Sequence, residues 1–160
     1  MRVAPRLTIV SGGQSGVDRG ALDAALAAGI PCGGWCPAGR VAEDGTIPAR
    51  YPLRELPGAG YVERTLRNVL DSDATLIICY GEPEGGTRQT LEFCERRSKP
   101  RLLIDAAVTA PQEAAQQVAA FVRAQGVRVL NVAGPRASKQ PGAHAYAHDL
   151  LAHALAMLKS

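Results

Sequence analysis

The segment Leu7–Gly20, LTIVSGGQSGVDRG, combines a short apolar strand, a glycine-rich turn and the start of a helix. Glycines in such a turn adopt backbone angles that other residues avoid, and they let a ligand approach the main chain closely. The helix that follows presents free N–H groups and the positive end of its dipole, which favour a phosphate or a similar oxyanion. The segment therefore predicts a strand–turn–helix unit of an α/β domain with an anion site. The residues of this expected site are Gly12, Gly13, Gln14, Ser15 and Gly16.

Two well-known variants of this turn do not fit the sequence. A Walker P-loop requires a Lys-Ser or Lys-Thr pair after the glycines, and none is present. A dinucleotide fingerprint requires G-x-G-x-x-G and an acidic residue after the second strand, whereas this turn reads G-G-x-x-G and that strand ends near Trp35 and Cys36. NAD-linked hydride transfer is therefore disfavoured. The remaining alternative is a tight turn without a ligand, in which Ser15 caps the helix and Asp18 completes the cap.

Strands alternate with helices along the rest of the chain. After the first helix, which Gly29 ends, apolar runs predict strands over 30–36, 74–80, 101–105 and 127–132. Helical spacing of apolar residues predicts helices near 62–70, 87–94, 114–126 and 147–158. This alternation is typical of a doubly wound α/β domain with a mainly parallel sheet flanked by helices. We expect one domain over residues 1–160, because a chain of this length buries a core without staples.

The stretch 37–60 has neither a strand period nor a helix period, and it contains four prolines. A loop of this length in a compact domain is typically a lid, a binding loop or a disordered segment. Arg40, Arg50 and Arg54 give it side chains that can reach an anionic ligand. We therefore expect a binding or lid loop with Arg40 at the ligand, the alternative being a solvated excursion with surface charges.

Two further turns follow strands of the predicted sheet. The first, GEPEGGTRQT, follows the most apolar strand, and the second, NVAGPR, follows the last strand. Ligands of open parallel sheets bind outside the carboxyl ends of the strands, and converging turns supply N–H groups from several segments. Thr87 is expected to cap the helix of the first turn. The site residues expected from these turns are Gly85, Gly86, Thr87, Arg88, Asn131, Gly134 and Arg136, with Arg19 and Lys139 nearby.

Composition excludes several classes of function. A net charge of +3 with 4% aromatic residues is too weak a signal for nucleic-acid binding. No apolar run is long enough to span a membrane and the first residues, MRVAPR, lack a signal-peptide core, so we expect a cytoplasmic protein. The four cysteines form no C-x-x-C pair and are expected as free thiols. His144 and His148 lie one helical turn apart but lack a third ligand, so no metal site is predicted.

Four segments together resemble one known family. They are IVSGGQSGVDRGALDAA, GGWCPAGRVAEDGTIPARYPLRE, the GGTRQT turn and NVAGPR, and the similarity extends from Leu7 to Leu158. The chain resembles the molybdenum-cofactor carrier proteins, which belong to a group of Rossmann-like domains related to the lysine-decarboxylase-like, Lonely Guy nucleotide-binding proteins. The resemblance implies a homo-oligomer, a dimer or tetramer, that binds the molybdenum cofactor and hands it to molybdoenzymes. This ligand is a phosphate-bearing pterin that holds molybdenum, and the first two glycine-rich turns would bind its phosphate.

Related phosphoribohydrolases, which cleave the base from a nucleotide such as AMP, give an alternative. They share the turn P-G-G-x-G-T-x-x-E, whose glutamate serves catalysis, and here Thr90 takes that position. A threonine cannot act as a carboxylate base, and Glu92 lies about 200° further round the helix. A carrier is therefore favoured over an enzyme and no catalytic residue is assigned. A module that senses a nucleotide with the same turns is a third alternative.

Overall fold

The computed structural model describes residues 7–159, and the residues MRVAPR at the start, on which the signal-peptide prediction rests, lie outside that range. The helices are α1 (Val17–Ala28), α2 (Tyr61–Leu70), α3 (Gly85–Arg96), α4 (Pro111–Gln125) and α5 (Ala143–Leu158). The strands are β1 (Thr8–Val10), β2 (Cys32–Gly33), β3 (Trp35–Pro37), β4 (Val41–Ala42), β5 (Gly45–Thr46), β6 (Arg54–Leu56), β7 (Ala74–Cys79), β8 (Arg101–Asp105) and β9 (Val129–Ala133).

The main sheet has five parallel strands in the order β2-β1-β9-β7-β8. Strand β9, the last in the chain, lies in the centre, where Leu130 pairs with Ile9 on one side and Val132 pairs with Leu76 on the other. Helices α1, α4 and α5 share the core on one face of this sheet, and α2 and α3 cover the other. The predicted doubly wound, parallel α/β fold is therefore confirmed.

The sequence of strand β7 is apolar at nearly every position because the strand is covered on both faces. Leu76 and Ile78 pack into the core formed with α1, α4 and α5, whereas Ile77 packs against Val69 of α2 and Cys94 of α3. Every residue of the strand is buried. A strand covered on both faces needs apolar residues at odd and even positions alike, and ATLIIC supplies them with a single threonine.

The small and apolar residues of α5 are buried inside the chain itself. Ala147, Leu151 and Ala154 have no exposed surface, because α1 and α4 pack directly against this helix. Gly20 of α1 makes this close approach possible, since a Cβ atom there would lie 2.5 Å from the carbonyl oxygen of His144. The Ala-rich and Leu-rich faces are thus used within one protomer, and the predicted homo-oligomer stays a prediction without support from these faces.

The prediction of one strand over 30–36 is wrong, because the chain breaks at Gly34. Strand β2 ends at Gly33 and belongs to the main sheet, whereas β3 begins at Trp35 and pairs with β6. Gly34 has a φ of 127°, and a Cβ atom on it would lie 2.2 Å from the carbonyl oxygen of Ser11. The glycine therefore turns the chain out of the main sheet, next to Ser11 at the start of the first glycine-rich turn.

The segment 37–60 is folded around a small core of its own. Strands β3 and β6 pair in parallel, and β4 and β5 form a two-stranded antiparallel ladder. The buried residues of this core are Leu22, Cys36, Ala42, Ile47, Tyr51 and Leu53. Leu22 belongs to α1, so the segment is anchored to the main domain through that helix. The absence of a long period in the sequence reflects short elements rather than disorder.

Candidate functional site

A cavity of about 380 Å³ opens at the carboxyl ends of β7 and β9, a volume within the range of small-molecule sites. One wall is the turn after β7 with the start of α3, and another is the turn after β9, residues 133–140. Tyr61, Arg64 and Thr65 of α2 form a third wall. Gln14 and Asp18 reach the cavity from the first glycine-rich turn and from α1. The cavity therefore joins the three turns that the sequence places at this edge of the sheet.

The second glycine-rich turn faces the cavity with its backbone open. Helix α3 begins at Gly85, and Glu84 takes the N-cap position, so the prediction that Thr87 caps this helix is wrong. The amides of Thr87 and Arg88 donate to the Glu84 carbonyl oxygen at 3.1 and 3.2 Å. Within residues 7–159 the amides of Gly85 and Gly86 meet no acceptor, and a Cβ atom on Gly86 would point into open space. These two N–H groups remain available to a ligand.

Two cationic side chains stand opposite this helix start. Arg136 and Lys139 both line the cavity and are exposed. The Lys139 Nζ lies 3.8 Å from the point where a Cβ atom of Gly85 would be. Gly134 lies behind them and is required by packing, because a Cβ atom there would come within 2.6 Å of Val17. An ammonium group therefore lies near the start of α3, where two amides have no acceptor within residues 7–159.

The first glycine-rich turn is closed by acceptors of the chain itself. The amide of Gly13 donates to Ser11 Oγ at 3.3 Å, that of Gln14 donates to Asp18 Oδ2 at 3.2 Å, and that of Val17 donates to the Pro135 carbonyl oxygen at 3.2 Å. The Asp18 carboxylate thus occupies the place that we expected an external anion to take. Its first-turn position on α1 gives it the favourable end of the helix dipole as well.

Glycines of this turn serve close packing. A Cβ atom on Gly12 would lie 2.0 Å from Arg64 Nη1, and one on Gly16 would lie 2.4 Å from the Pro135 carbonyl oxygen. Ser15 is not the N-cap of α1, which is Gly16. Its hydroxyl instead donates to Glu43 and accepts from the Ala137 amide at 3.2 Å, so it ties the segment 37–60 to the turn after β9.

Arg64 lines the cavity, and the apolar periodicity of α2 did not indicate it. Of the apolar residues that predicted the buried face, Val69 is buried, but Val62 and Leu70 are 48% and 37% exposed. Tyr61, Arg64 and Thr65 line the cavity, and Asn68 lines a smaller pocket beside it. They are spaced i, i+3, i+4 and i+7, so a polar stripe at helical spacing was the signal that was available.

Asp18 and Arg64 form a buried charged pair at the floor of the cavity. The Asp18 carboxylate is 7% exposed, and Arg64 Nη1 lies 3.9 Å from its Oδ2. Burial raises the pKa of Asp18 to about 6, although Arg64 and the Gln14 amide act against that rise. Burial also lowers the pKa of the Arg64 guanidinium, which the negative charge of Asp18 opposes. The Asp18 carboxyl therefore loses its proton at a higher pH than an ordinary aspartate does.

Within residues 7–159, two buried side-chain polar atoms of the cavity residues have no hydrogen-bond partner. Gln14 donates its Nε2 to the Val41 carbonyl oxygen at 3.0 Å, which fixes its amide and leaves Oε1 buried without a donor. Arg64 Nε is buried without an acceptor. An unsatisfied buried polar atom costs about 1–3 kcal/mol, so both atoms indicate a partner that the protein alone does not supply.

The predicted site residues divide into those that line the cavity and those that do not. Those that line it are Gln14, Gly86, Thr87, Gly134 and Arg136. Those outside its lining are Gly12, Gly13, Ser15, Gly16, Arg40, Gly85, Arg88 and Asn131. The binding role of every residue in both groups stays a prediction.

Arg40 and Arg88 of the second group, and Arg19 near the first turn, already have partners within the protein. Arg40 donates to the carbonyl oxygens of Ile47, Pro48, Tyr51 and Leu53 at 2.8–3.3 Å. Arg19 forms a bidentate pair with Asp44, and Arg88 pairs with Glu92 at 3.3 Å along α3. The Nδ2 of Asn131, which is also outside the lining, donates to Thr75 Oγ1 at 3.3 Å. Arg40 is thus the residue that organises the segment 37–60.

Thr90 lies where the related hydrolases carry glutamate, and it lines the cavity. Its hydroxyl donates to the Gly86 carbonyl oxygen at 3.0 Å. Glu92 lies on the exposed side of α3 between Arg88 and Arg96, as the helical rotation predicted. The carboxylates that do line the cavity are Asp18, Glu82 and Glu84.

A family comparison over residues 9–155 matches the circularly permutated YpsA SLOG family. The chain belongs to this family. A solved structure from Syntrophus aciditrophicus, described as a "putative molybdenum carrier protein", is 45% identical to it. That structure superimposes with a TM-score of 0.91, and the match covers 94% of this chain and 96% of the other. This SLOG domain gives no match among curated proteins.

Two further observations concern metals and membranes. Residues 7–159 contain no group of three His, Cys, Asp or Glu side chains arranged to hold a metal ion. The His144 and His148 rings stack at 6.2 Å, and His144 Nε2 lies 2.7 Å from Asp23 Oδ2. None of the helices in the described range has the length and apolar character needed to cross a membrane.

Proposed function

We propose that this SLOG domain binds and carries a phosphate-bearing small molecule, the molybdenum cofactor, in the cavity between β7, β9 and α2. The observation that carries the proposal is the open start of α3 facing Lys139 and Arg136, beside buried polar atoms of Gln14 and Arg64 that lack partners. The name of the 45% identical neighbour supports molybdenum as part of the cargo.

The phosphate belongs at the second glycine-rich turn rather than the first. The amides of Gly85 and Gly86 are free, and Lys139 lies next to them. An oxyanion placed there gains the helix dipole, two N–H donors and a cation at once. The first turn offers no comparable place, because Asp18 already accepts its Gln14 amide.

The rest of the cavity fits the pterin part of such a ligand. Tyr61 and Tyr80 give it planar apolar surface, and Gln14, Thr65 and Thr90 give it polar groups. A ligand of several rings fits a cavity of about 380 Å³. The molybdenum travels as part of this cargo, held by the dithiolene of the pterin, so the protein needs no cluster of metal ligands of its own.

The test is the ligand that the protein carries from cells. We would purify the full chain from molybdate-fed cells beside Lys139→Glu and Arg128→Glu, two variants that add negative charge. Arg128 is exposed at the start of β9, at the opposite edge of the sheet, and serves as the matched control. Each protein is denatured, and the released material is measured by mass spectrometry, oxidised-pterin fluorescence and molybdenum content.

We expect Arg128→Glu to release as much pterin and as much molybdenum as the wild type does. Lys139→Glu is expected to release at least tenfold less of both. Release of AMP or another nucleotide in place of pterin would refute the molybdenum cofactor as cargo and leave a nucleotide-binding protein. Loss of pterin from both variants alike would refute the assignment of Lys139 to the phosphate.

A further inference from the structure

The charged residues that line the cavity do not match a ligand that carries only negative charge. Arg64, Arg136 and Lys139 are opposed by three carboxylates, those of Asp18, Glu82 and Glu84. Glu82 and Glu84 are exposed near the mouth, whereas Asp18 is buried at the floor. A ligand that was anionic along its whole length would bring like charge against Asp18 in a poorly solvated place. The floor must therefore meet a part of the ligand that donates hydrogen bonds.

The polar atoms at the floor form a specific pattern of acceptors and donors. The Asp18 carboxylate receives the Gln14 amide and has further lone pairs, and Gln14 Oε1 is a second acceptor without a donor. Arg64 Nε is a donor without an acceptor. Both of these atoms are buried, so a ligand can contact them only if their side chains move. Gln14, Asp18 and Arg64 all line the cavity, and together they supply two acceptors and one donor to its wall.

We infer that this floor reads the amino, N–H and carbonyl edge of a 2-amino-4-oxo nitrogen heterocycle, the edge that pterin and guanine share. The exocyclic amine and the ring N–H donate to Asp18 and Gln14, and the ring carbonyl accepts from Arg64. Adenine offers an amine beside an unprotonated ring nitrogen, so its edge places a lone pair against the Asp18 carboxylate. Asp18 is therefore the residue that determines specificity at this end of the cavity.

This inference rests on the proposed function, because it concerns the same cavity and needs the phosphate end as its anchor. The two ends make separate predictions. The start of α3 with Lys139 sets how tightly the phosphate is bound, and the floor sets which ring is bound. A substitution at the floor changes the ratio of two affinities, whereas a substitution at Lys139 changes both affinities together.

The experiment measures the affinity of the full chain for matched ligands by calorimetry. GMP carries a 2-amino group where IMP carries hydrogen, and pterin carries a 2-amino group where lumazine carries a carbonyl oxygen, the second pair having no phosphate. AMP gives the adenine edge, and inorganic pyrophosphate probes the phosphate end alone. The variants are Asp18→Asn, Gln14→Leu and, as the matched control at the other end, Lys139→Ala. Thermal unfolding of each variant shows that it is folded under the conditions of the titration.

We expect the wild type to bind GMP at least tenfold more tightly than IMP, and pterin at least tenfold more tightly than lumazine. We also expect it to bind AMP more weakly than GMP. Asp18→Asn is expected to reduce that preference to less than threefold, and Gln14→Leu to reduce it as well. Lys139→Ala should weaken GMP and IMP equally and keep the ratio. A role of Asp18 in folding alone would weaken all ligands without changing the ratio.

Other outcomes separate this inference from the proposed function. If the wild type binds GMP and IMP equally and also binds pterin and lumazine equally, the inference is overturned even if pyrophosphate binds. Tighter binding of AMP than of GMP overturns it as well. Selection of GMP over IMP without selection of pterin over lumazine supports the edge and opposes a pterin cargo. A preference that persists unchanged in both Asp18→Asn and Gln14→Leu assigns the selectivity elsewhere and overturns the inference.

Discussion

The two glycine-rich turns of this protein look alike in sequence but have opposite roles in the structure. Around Gly12–Gly16 the glycines let other parts of the chain approach, and the amides bond to Ser11, Asp18 and Pro135. At Gly85 and Gly86 a Cβ atom would meet only the end of Lys139 or open space, and within residues 7–159 neither amide has an acceptor. A glycine-rich turn therefore shows that something comes close to the main chain, but it does not show whether that is a ligand or the protein.

The largest difference between the turns should be found by adding one methyl group to each. Gly16→Ala places a Cβ atom 2.4 Å from the Pro135 carbonyl oxygen at a φ of 85°, so strain and overpacking add to roughly 4 kcal/mol of lost stability. Gly86→Ala meets open space in the first turn of α3, and we expect a change within about 1 kcal/mol. Denaturant unfolding of both variants measures this, and equal losses would show that the turns do not differ in packing.

A second difference lies in the charge that the first turn holds. Because the pKa of Asp18 is raised from 3.8 to about 6, the folded state binds its proton more tightly than the unfolded state does. The stability that this gives is fully present below pH 3.8 and is lost as the pH rises through 6. Such a shift corresponds to roughly 3 kcal/mol over the whole titration, of which roughly 2.4 kcal/mol falls between pH 4 and pH 7.

Asp18→Asn removes this titration while keeping the shape of the side chain. We therefore expect the unfolding free energy of the variant, relative to the wild type, to increase by roughly 2–3 kcal/mol from pH 4 to pH 7. Chemical denaturation at four pH values measures the two curves. The comparison is independent of any constant loss from leaving Arg64 without its counter-charge. Parallel curves would show that Asp18 titrates normally and that the first turn holds no strained carboxylate.

The smallest expected difference is in the stability lost when Arg40 of the segment 37–60 and Arg88 of the second turn are each replaced by lysine. Arg40 binds four carbonyl oxygens of the segment 37–60 through its planar guanidinium, so Arg40→Lys keeps the charge and loses most of these bonds. We expect a loss of roughly 1–2 kcal/mol and faster proteolysis within 37–60. Arg88→Lys changes one exposed pair with Glu92 and should cost less than about 0.5 kcal/mol. Equal sensitivity to protease would contradict the organising role of Arg40.

The alternation of strands and helices and the parallel pairing were accessible from sequence because buried strands and amphipathic helices have distinct periods. The strand over 74–79 and the end of the fourth helix at Gly126 were placed almost to the residue, whereas the central position of β9 was not predicted. The folded segment 37–60 was not, because its strands of two or three residues are too short to show a period. Its order depends on Arg40 and on contacts between residues far apart in the sequence, such as Tyr51 with Leu22.

The site was predictable in position but only partly in composition. Turns after β1, β7 and β9 had to meet at one edge once the sheet was parallel, and Gln14, Gly86 and Arg136 do line one cavity. Arg64 was missed because the helix was judged by its apolar residues, whereas the part of its surface that lines the cavity carries Arg64 and Thr65. The closing of the first turn by Asp18 was hidden because a first-turn carboxylate is also an ordinary helix cap.

The central position of β9 also bears on how the protein is made. The strand that joins β1 to β7 is encoded after 128 other residues. Until the ribosome has released it, a nascent chain can pair β7 with β8 and β1 with β2, but the two ladders have no strand between them. Each then presents an unpaired edge to other chains during synthesis. The cavity, whose walls come from both halves, therefore forms only when β9 is inserted, so a shortened translation product that lacks this strand also lacks the cavity.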